Sequence, residues 1–129
     1  MKTILLFLFL CMSLSTSAQT ADERAGTYMN QENWFSLQRE FAVNKDSLHP
    51  FLQEFGQALL DNFFNRPQAA YESISKLLNE QQSNMGFENT ASMIYLLSEN
   101  LSKLGANDQA AETLKNFCDQ LEGQVDSTF

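Results

Sequence analysis

Residues 91–117 read ASMIYLLSENLSKLGANDQAAETLKNF, and this stretch decides the fold of the chain. Its apolar residues recur every three or four positions, first over 93–104 and again from 110 onward, with Gly105 between the two runs. This spacing is typical of amphipathic helices that have one apolar side. A Gly just after an apolar run is typical of a helix C-terminus. The stretch therefore predicts two helices joined by a tight turn.

The same spacing predicts three further helices upstream, over about 31–44, 50–64 and 68–82. The two helices of the opening stretch extend over about 89–104 and 107–121. Short connections between such helices favour antiparallel neighbours, and no segment alternates with a period of two. We therefore predict an all-α domain at 28–123 with about five antiparallel helices. Residues 19–27 are expected to be a flexible lead-in, and residues 124–129 a tail.

The unit that begins near Ala91 resembles a tetratricopeptide repeat. Its pattern consists of Ile94, Leu97, Ser98 and Leu101, then Gly105, then Ala110, Leu114 and Phe117. Small residues at Ser98 and Ala110 would let the two helices approach closely. A related set, Ala70, Ile74 and Leu77, stands forty residues earlier. We expect tetratricopeptide-like helical hairpins, and an irregular five-helix bundle is the alternative.

Residues 1–18 are typical of a secretory signal peptide. Lys2 supplies a positive charge, residues 3–14 are mostly apolar, and residues 16–18 are small enough for a signal peptidase. The apolar run is shorter than the roughly 20 residues that span a bilayer. We therefore expect a secreted or periplasmic protein that begins near Gln19. Cys118 would then be the one remaining thiol, and we predict it buried on the apolar side of the last helix. An intermolecular disulfide or a nucleophilic role is the alternative.

Charge limits the classes of partner. The 129 residues include 16 acidic and 8 basic side chains, which gives a formal net charge of -8. Such a chain repels phosphate backbones and anionic headgroups. We expect neither nucleic acid nor membrane as a partner after signal cleavage, and we expect either a separate protein or a downstream domain of the same chain.

The residues that could carry chemistry are sparse. His49 is the only His, it is expected in a helix-capping region, and no Cys or second His stands at metal-ligand spacing. Glu54 with Asp61, and Glu72 with Glu80, are expected on polar helix faces without an apolar pocket. Neither a phosphate-binding loop nor a nucleophile motif is present. We expect no enzymatic activity within this chain, no metal, no cofactor and no small-molecule ligand.

Two features suggest contacts or modification instead. Phe63 and Phe64 are adjacent, so both cannot face the same helix interface, and one of them is expected at a partner or interdomain contact. Ser47 and Ser127 follow Asp in short patterns that resemble O-glycosylation acceptors of exported proteins in some Gram-negative bacteria. Ser47 also fits a helix N-cap.

Several short segments together resemble the N-terminal helical region of secreted bacterial retropepsin-like aspartyl proteases. They are SAQTADER (17–24), NWF (33–35), KDS (45–47), NRP (65–67) and GANDQAA (105–111). The resemblance implies that such a helical region precedes a β-rich catalytic domain marked by Asp-Thr/Ser-Gly. Asp126-Ser127-Thr128 lacks the Gly, so no catalytic residue is carried over.

Three hypotheses follow from the sequence. The first is an exported, non-catalytic helical module that mediates protein–protein or interdomain contact. The second is the N-terminal fragment of a retropepsin-like aspartyl protease. The third is a structural helical bundle without a specific ligand.

Overall fold

The structure is a computed structural model that describes residues 19–128, with side chains through residue 123. Within that range the fold is all-α, as predicted, with six α-helices and no strand. The helices are α1 (Ala21–Asn30), α2 (Trp34–Asn44), α3 (Pro50–Phe63), α4 (Pro67–Gln81), α5 (Phe87–Lys103) and α6 (Asn107–Thr128). Short 3₁₀ turns, Lys45–Ser47 and Gln82–Asn84, follow α2 and α4. The signal segment predicted at 1–18 lies outside the described residues.

The helices form three successive hairpins, α1–α2, α3–α4 and α5–α6, that turn in the same way. Each turn has one residue with positive φ, namely Glu32 (54°), Asn65 (55°) and Gly105 (83°). The N–H of the next residue bonds to the carbonyl five positions earlier, in the pairs Asn33–Tyr28 (2.8 Å), Arg66–Asp61 (2.9 Å) and Ala106–Leu101 (2.9 Å). This is the Schellman closure, which satisfies carbonyls that the end of a helix leaves free. Residues at the same distance along the chain from these turns therefore occupy equivalent positions in the three hairpins.

α3 lies between two buried clusters. One cluster joins α3 to α4 and α5 and contains Ala58, Ala70, Ile74, Leu77, Met85 and Met93. The other joins α3 to α1 and α2 and contains Ala25, Leu37, Phe41, Leu48 and Leu60. Burying a large apolar side chain contributes roughly 1.5–3 kcal/mol to stability. Burial of these two clusters is therefore the main interaction that holds the hairpins together.

α1 corrects the prediction of a flexible lead-in at 19–27. Thr20 caps the helix by accepting a hydrogen bond from the Glu23 N–H at 3.1 Å, and two acidic residues in the first turn favour the positive end of the helix dipole. Ala25 is fully buried. The segment is small and polar in composition, but tertiary packing of its narrow apolar face makes it helical.

The last helix differs from its prediction in two ways. Its backbone continues to Thr128 instead of ending near residue 121, because no Pro interrupts it and Gly123 is tolerated in a helix. Cys118 is exposed, and Leu114 remains 37% exposed. The neighbour that α6 contacts most is α5, which covers only part of its apolar side. Within the described residues, no helix combines the length and apolar composition needed to cross a membrane.

Candidate interaction surface

The start of α2 and the end of α3 bring aromatic residues together. Asn33 caps α2 by accepting a hydrogen bond from the Ser36 N–H at 3.3 Å, so the helix begins with Trp34 and Phe35. The Schellman turn at Asn65 ends α3 immediately after Phe63. Two cap motifs therefore place these aromatic pairs at helix ends.

Four rings form what we call the aromatic patch: Trp34, Phe35, Phe63 and Phe64. The centroid of Phe63 lies 5.7 Å from that of Trp34, 5.9 Å from that of Phe35 and 5.1 Å from that of Phe64. Phe35 and Phe64 are 5.6 Å apart, and the three Phe–Phe contacts are edge-to-face. Such pairs contribute about 0.5–1.5 kcal/mol beyond area burial, so the rings support one another at the surface.

Exposure separates the members of the patch. Phe63 is 45% exposed and Phe35 is 62% exposed, whereas Trp34 and Phe64 are half-buried. Phe63 and Phe64 therefore differ in exposure, as adjacent helical residues must when one side is covered. Sequence reasoning missed Phe35 as a surface residue, although its adjacency to Trp34 carries the same signal as the Phe63–Phe64 pair.

Two arginines accompany the patch. The guanidinium carbon of Arg66 lies 5.6 Å from the ring centroid of Phe64, in a cation–π contact. Arg39 follows Phe35 by one helical turn and therefore shares its face of α2. Its side chain is exposed and donates to the Ser36 hydroxyl at 3.2 Å. Arg66 is also ion-paired with the buried Asp61, so Arg39 supplies the main positive charge at the border of this surface.

The predicted modification and capping residues lie elsewhere. Ser47 is exposed in the first 3₁₀ turn. His49, and not Ser47, caps α3, because its Nδ1 accepts from the Phe51 N–H at 3.2 Å. The side chain of Ser127 lies outside the described side chains.

Asp61 corrects the expectation of a solvated carboxylate on a polar face. It is only 4% exposed. Its Oδ1 accepts from Arg66 (Nε 3.1 Å, Nη2 2.9 Å) and from Gln57 Nε2 (2.9 Å), and its Oδ2 accepts from the Ser73 hydroxyl (2.8 Å). A buried carboxylate needs such partners to offset lost hydration. The group therefore ties α3 to α4, which a pattern read along one helix does not reveal.

The described residues contain no group of three or more His, Cys, Asp or Glu side chains arranged to hold a metal ion. Comparison of the chain with protein-family models, with curated proteins and with solved structures gives no match.

Proposed function

We propose that this chain is an exported, non-catalytic helical module that binds a protein partner through the aromatic patch. The observation that carries the proposal is the exposure of Phe35 and Phe63 at the centre of four touching rings. Partly exposed aromatic side chains are the residue type enriched at binding hot spots. The ring contacts also hold the side chains in place, which lowers the entropy cost of binding.

Charge supports a particular kind of partner. The chain carries a net charge of -8, yet the exposed guanidinium of Arg39 stands beside the patch. A segment with apolar side chains next to Asp or Glu would meet the rings and this guanidinium group together. The proposed partner is therefore an apolar peptide segment with an acidic flank, carried by another protein.

A displayed peptide library tests this preference. The purified full chain is used to select peptides, and the enriched sequence is titrated by fluorescence anisotropy. We expect aromatic or large aliphatic residues beside Asp or Glu. Phe35→Ala and Phe63→Ala should each weaken binding about tenfold or more, since central aromatic anchors contribute at least 1–2 kcal/mol. Arg39→Gln should reduce the association rate and its dependence on salt.

Tyr95→Ala is the matched control, because Tyr95 is an exposed aromatic residue on α5, outside the patch. Its substitution should leave the affinity unchanged. Selected peptides that bind Phe35→Ala and Phe63→Ala as tightly as the parent chain would contradict the proposal, as would binding that depends on Tyr95.

Export is tested separately by intact mass. The full chain is expressed from Met1 in a Gram-negative host, and the periplasmic fraction is collected. The mass of a chain that begins near Gln19 supports a cleaved signal. Recovery only in the cytoplasm, with residues 1–18 still attached, would contradict export and leave the binding proposal to its own test.

A further inference from the structure

The last helix, α6, carries two rows of apolar residues, and the fold covers one of them. Ala110 and Phe117 belong to the first row and lie against α5. Leu114, Cys118 and Leu121 form a second row, which we call the open row. Leu114 and Cys118 are exposed, and Leu121 is half-buried. The open row is therefore an apolar helix face without a helix packed on it.

The other two hairpins cover the position that Leu114 occupies. Phe41, Ile74 and Leu114 each stand nine residues after the positive-φ residue of their turn, yet they are 7%, 0% and 37% exposed. A Cβ on Gly56 of α3 would overlap the Phe41 ring, and Ile74 shares a buried cluster with Met93 of α5. In both cases the first helix of the next hairpin packs on the second helix of the one before. Leu114 therefore marks the place where a further helix would pack.

The spacing of the open row also fits a helix as its neighbour. Steps of four and then three residues separate Leu114, Cys118 and Leu121, and in the sequence this spacing continues to Val125. Alternating steps of three and four define the a and d positions of a heptad, along which two helices pair. α6 has 22 residues, whereas α5 has 17. Such a long seam suits a second helix laid along α6.

The opposite end of the stack is a poor source of this helix. Head-to-tail stacking of two copies would lay α1 of one copy on α6 of the other. Glu23, Gly56 and Leu96 each stand nine residues before the positive-φ residue of their turn. Gly56 is buried and Leu96 packs against a core cluster, whereas Glu23 is exposed. A carboxylate at this position opposes packing on an apolar row, so α1 acts as a polar cap of the stack.

Charge favours α6 of a second copy as the neighbour. In an antiparallel pair centred between residues 119 and 120, Cys118 lies opposite Leu121 of the second copy. The same register places Lys115 beside Glu122 of the second copy, and two-fold symmetry repeats this contact. Both side chains are exposed, and within its own helix Lys115 lies 3.9 Å from Asp119. The surface of α6 is therefore complementary to itself in both apolar contact and charge.

Other pairings of the same two rows lose this match. An antiparallel pair centred on residue 116 would set Leu114 against Cys118 but would bring the two Lys115 side chains together, and like charges repel. A parallel pair would place Lys115 beside residue 110 of the second copy. Ala110 is apolar and already buried against α5. The antiparallel register centred between residues 119 and 120 is therefore the one that pairs the charges.

We propose that two copies of this chain associate tail to tail, with their α6 helices antiparallel along the open rows and Lys115–Glu122 pairs at both edges. The aromatic patch lies on α2 and α3, outside this contact. The dimer would thus present two aromatic patches, and a partner with two binding segments would gain avidity from it.

Sedimentation equilibrium of the purified full chain under reducing conditions measures the association. We expect a monomer–dimer equilibrium with a dissociation constant on the order of 10 μM, as suits a small apolar contact. Leu114→Glu should weaken it at least tenfold, because it puts a charge in the open row. Val43→Glu is the matched control, since Val43 is 80% exposed on α2, and it should leave the equilibrium unchanged.

Exchange of the paired charges tests the register. Lys115→Glu and Glu122→Lys should each weaken the dimer about tenfold, because each sets like charges side by side. The double variant should return the dissociation constant to within about twofold of the parent value, since it restores opposite charges. Glu112→Lys is the control, because Glu112 is exposed on α6 and lies outside the open row. If Leu114→Glu proves unfolded by circular dichroism, these exposed sites still decide the question.

Three results would overturn the proposal. One is a monomer at all concentrations up to about 200 μM, well above the expected dissociation constant. Another is association that Leu114→Glu leaves unchanged, which would place the contact elsewhere on the chain. The third is failure of the double charge exchange to restore the dimer. None of these results involves Phe35 or Phe63, so failure here is distinct from failure of the aromatic patch.

Discussion

The Ser98 hydroxyl of α5 donates a hydrogen bond to the backbone carbonyl of Ala110 in α6, at 3.0 Å. Both residues are buried. A side chain as short as that of Ser reaches a neighbouring helix backbone only when the two helices approach closely, and the small side chain of Ala110 permits that approach. The prediction that these two small residues pack together is confirmed. Ala58 and Ala70, both fully buried, stand at the matching positions of the α3–α4 hairpin.

Ala110→Phe should destabilise the α5–α6 hairpin. The extra ring has no room beside Ser98, and overpacking of this kind costs about 1–3 kcal/mol. Urea denaturation, monitored by circular dichroism, measures the loss in the free energy of unfolding. Ala111→Phe is the control, because Ala111 is the exposed neighbour on the same helix and its substitution should change the free energy of unfolding by less than about 0.5 kcal/mol. Equal stability of the two variants would contradict the close packing of Ala110.

Gly56→Ala should also be destabilising, for a different steric reason. A Cβ at this position would lie 2.8 Å from the Met29 methyl carbon and would overlap the Phe41 ring. The Phe41 ring and the Met29 methyl group, or α3 itself, must therefore move within a buried cluster, at a cost of about 1–3 kcal/mol. Thermal and urea unfolding measure this change.

Gly26→Ala is its control, since a Cβ there meets no other atom within 4 Å. Replacing an unstrained helical Gly by Ala should raise stability by roughly 0.5–1 kcal/mol. The two substitutions are chemically identical and should act in opposite directions. A stabilised Gly56→Ala variant would be inconsistent with the described packing of α3.

Periodicity along the chain predicted α2 to α6 because each carries a long row of apolar residues at helical spacing. It missed α1, whose apolar face is short and gains its stability from packing on α2 and α3. It also predicted burial of Cys118, since the pattern does not show that α6 has too little neighbouring structure to cover its whole apolar side. The tetratricopeptide-like arrangement and the aspartyl protease resemblance stay predictions.

The aromatic patch and the buried Asp61 network could be predicted from the sequence to different degrees. Adjacency of Phe63 and Phe64 indicated a surface aromatic residue, and the same reasoning applied to Trp34 and Phe35 would have extended the patch. Asp61 was assigned to solvent because a carboxylate in a helix usually is. Its burial depends on Arg66 and Ser73 beyond the turn, and such contacts are invisible to a single-helix pattern.

Asp61→Ala should destabilise the α3–α4 hairpin by about 1–3 kcal/mol, because Gln57 and Ser73 lose their acceptor in a largely buried setting. Chemical denaturation gives the free energy. Asp46→Ala removes the same side chain from an exposed position in the 3₁₀ turn and should have little effect. A comparable decrease in the free energy of unfolding for both variants would argue against a structural network at Asp61.

The Arg24–Glu40 pair should make stability depend on pH. Arg24 donates to Glu40 Oε1 from Nε (3.0 Å) and Nη2 (2.8 Å), and Asn44 donates to the same oxygen at 3.0 Å. The hydrogen bonds from Arg24 lower the pKa of Glu40 below its ordinary value of 4.5, although burial opposes the shift. The stabilisation is therefore complete above the unfolded-state pKa and is lost as pH falls through the lower folded-state pKa.

The measurement compares the parent with Glu40→Gln by urea denaturation between about pH 7 and pH 3. The parent should be more stable at neutral pH, and this advantage should stay constant down to about pH 5 and then shrink as the Glu40 carboxylate takes up its proton. Glu80→Gln is the matched control, since Glu80 is exposed on α4 and its substitution should change the free energy of unfolding by less than about 0.5 kcal/mol. If Glu80→Gln lowers the free energy of unfolding as much as Glu40→Gln does over this pH range, Glu40 is not specifically stabilised by Arg24.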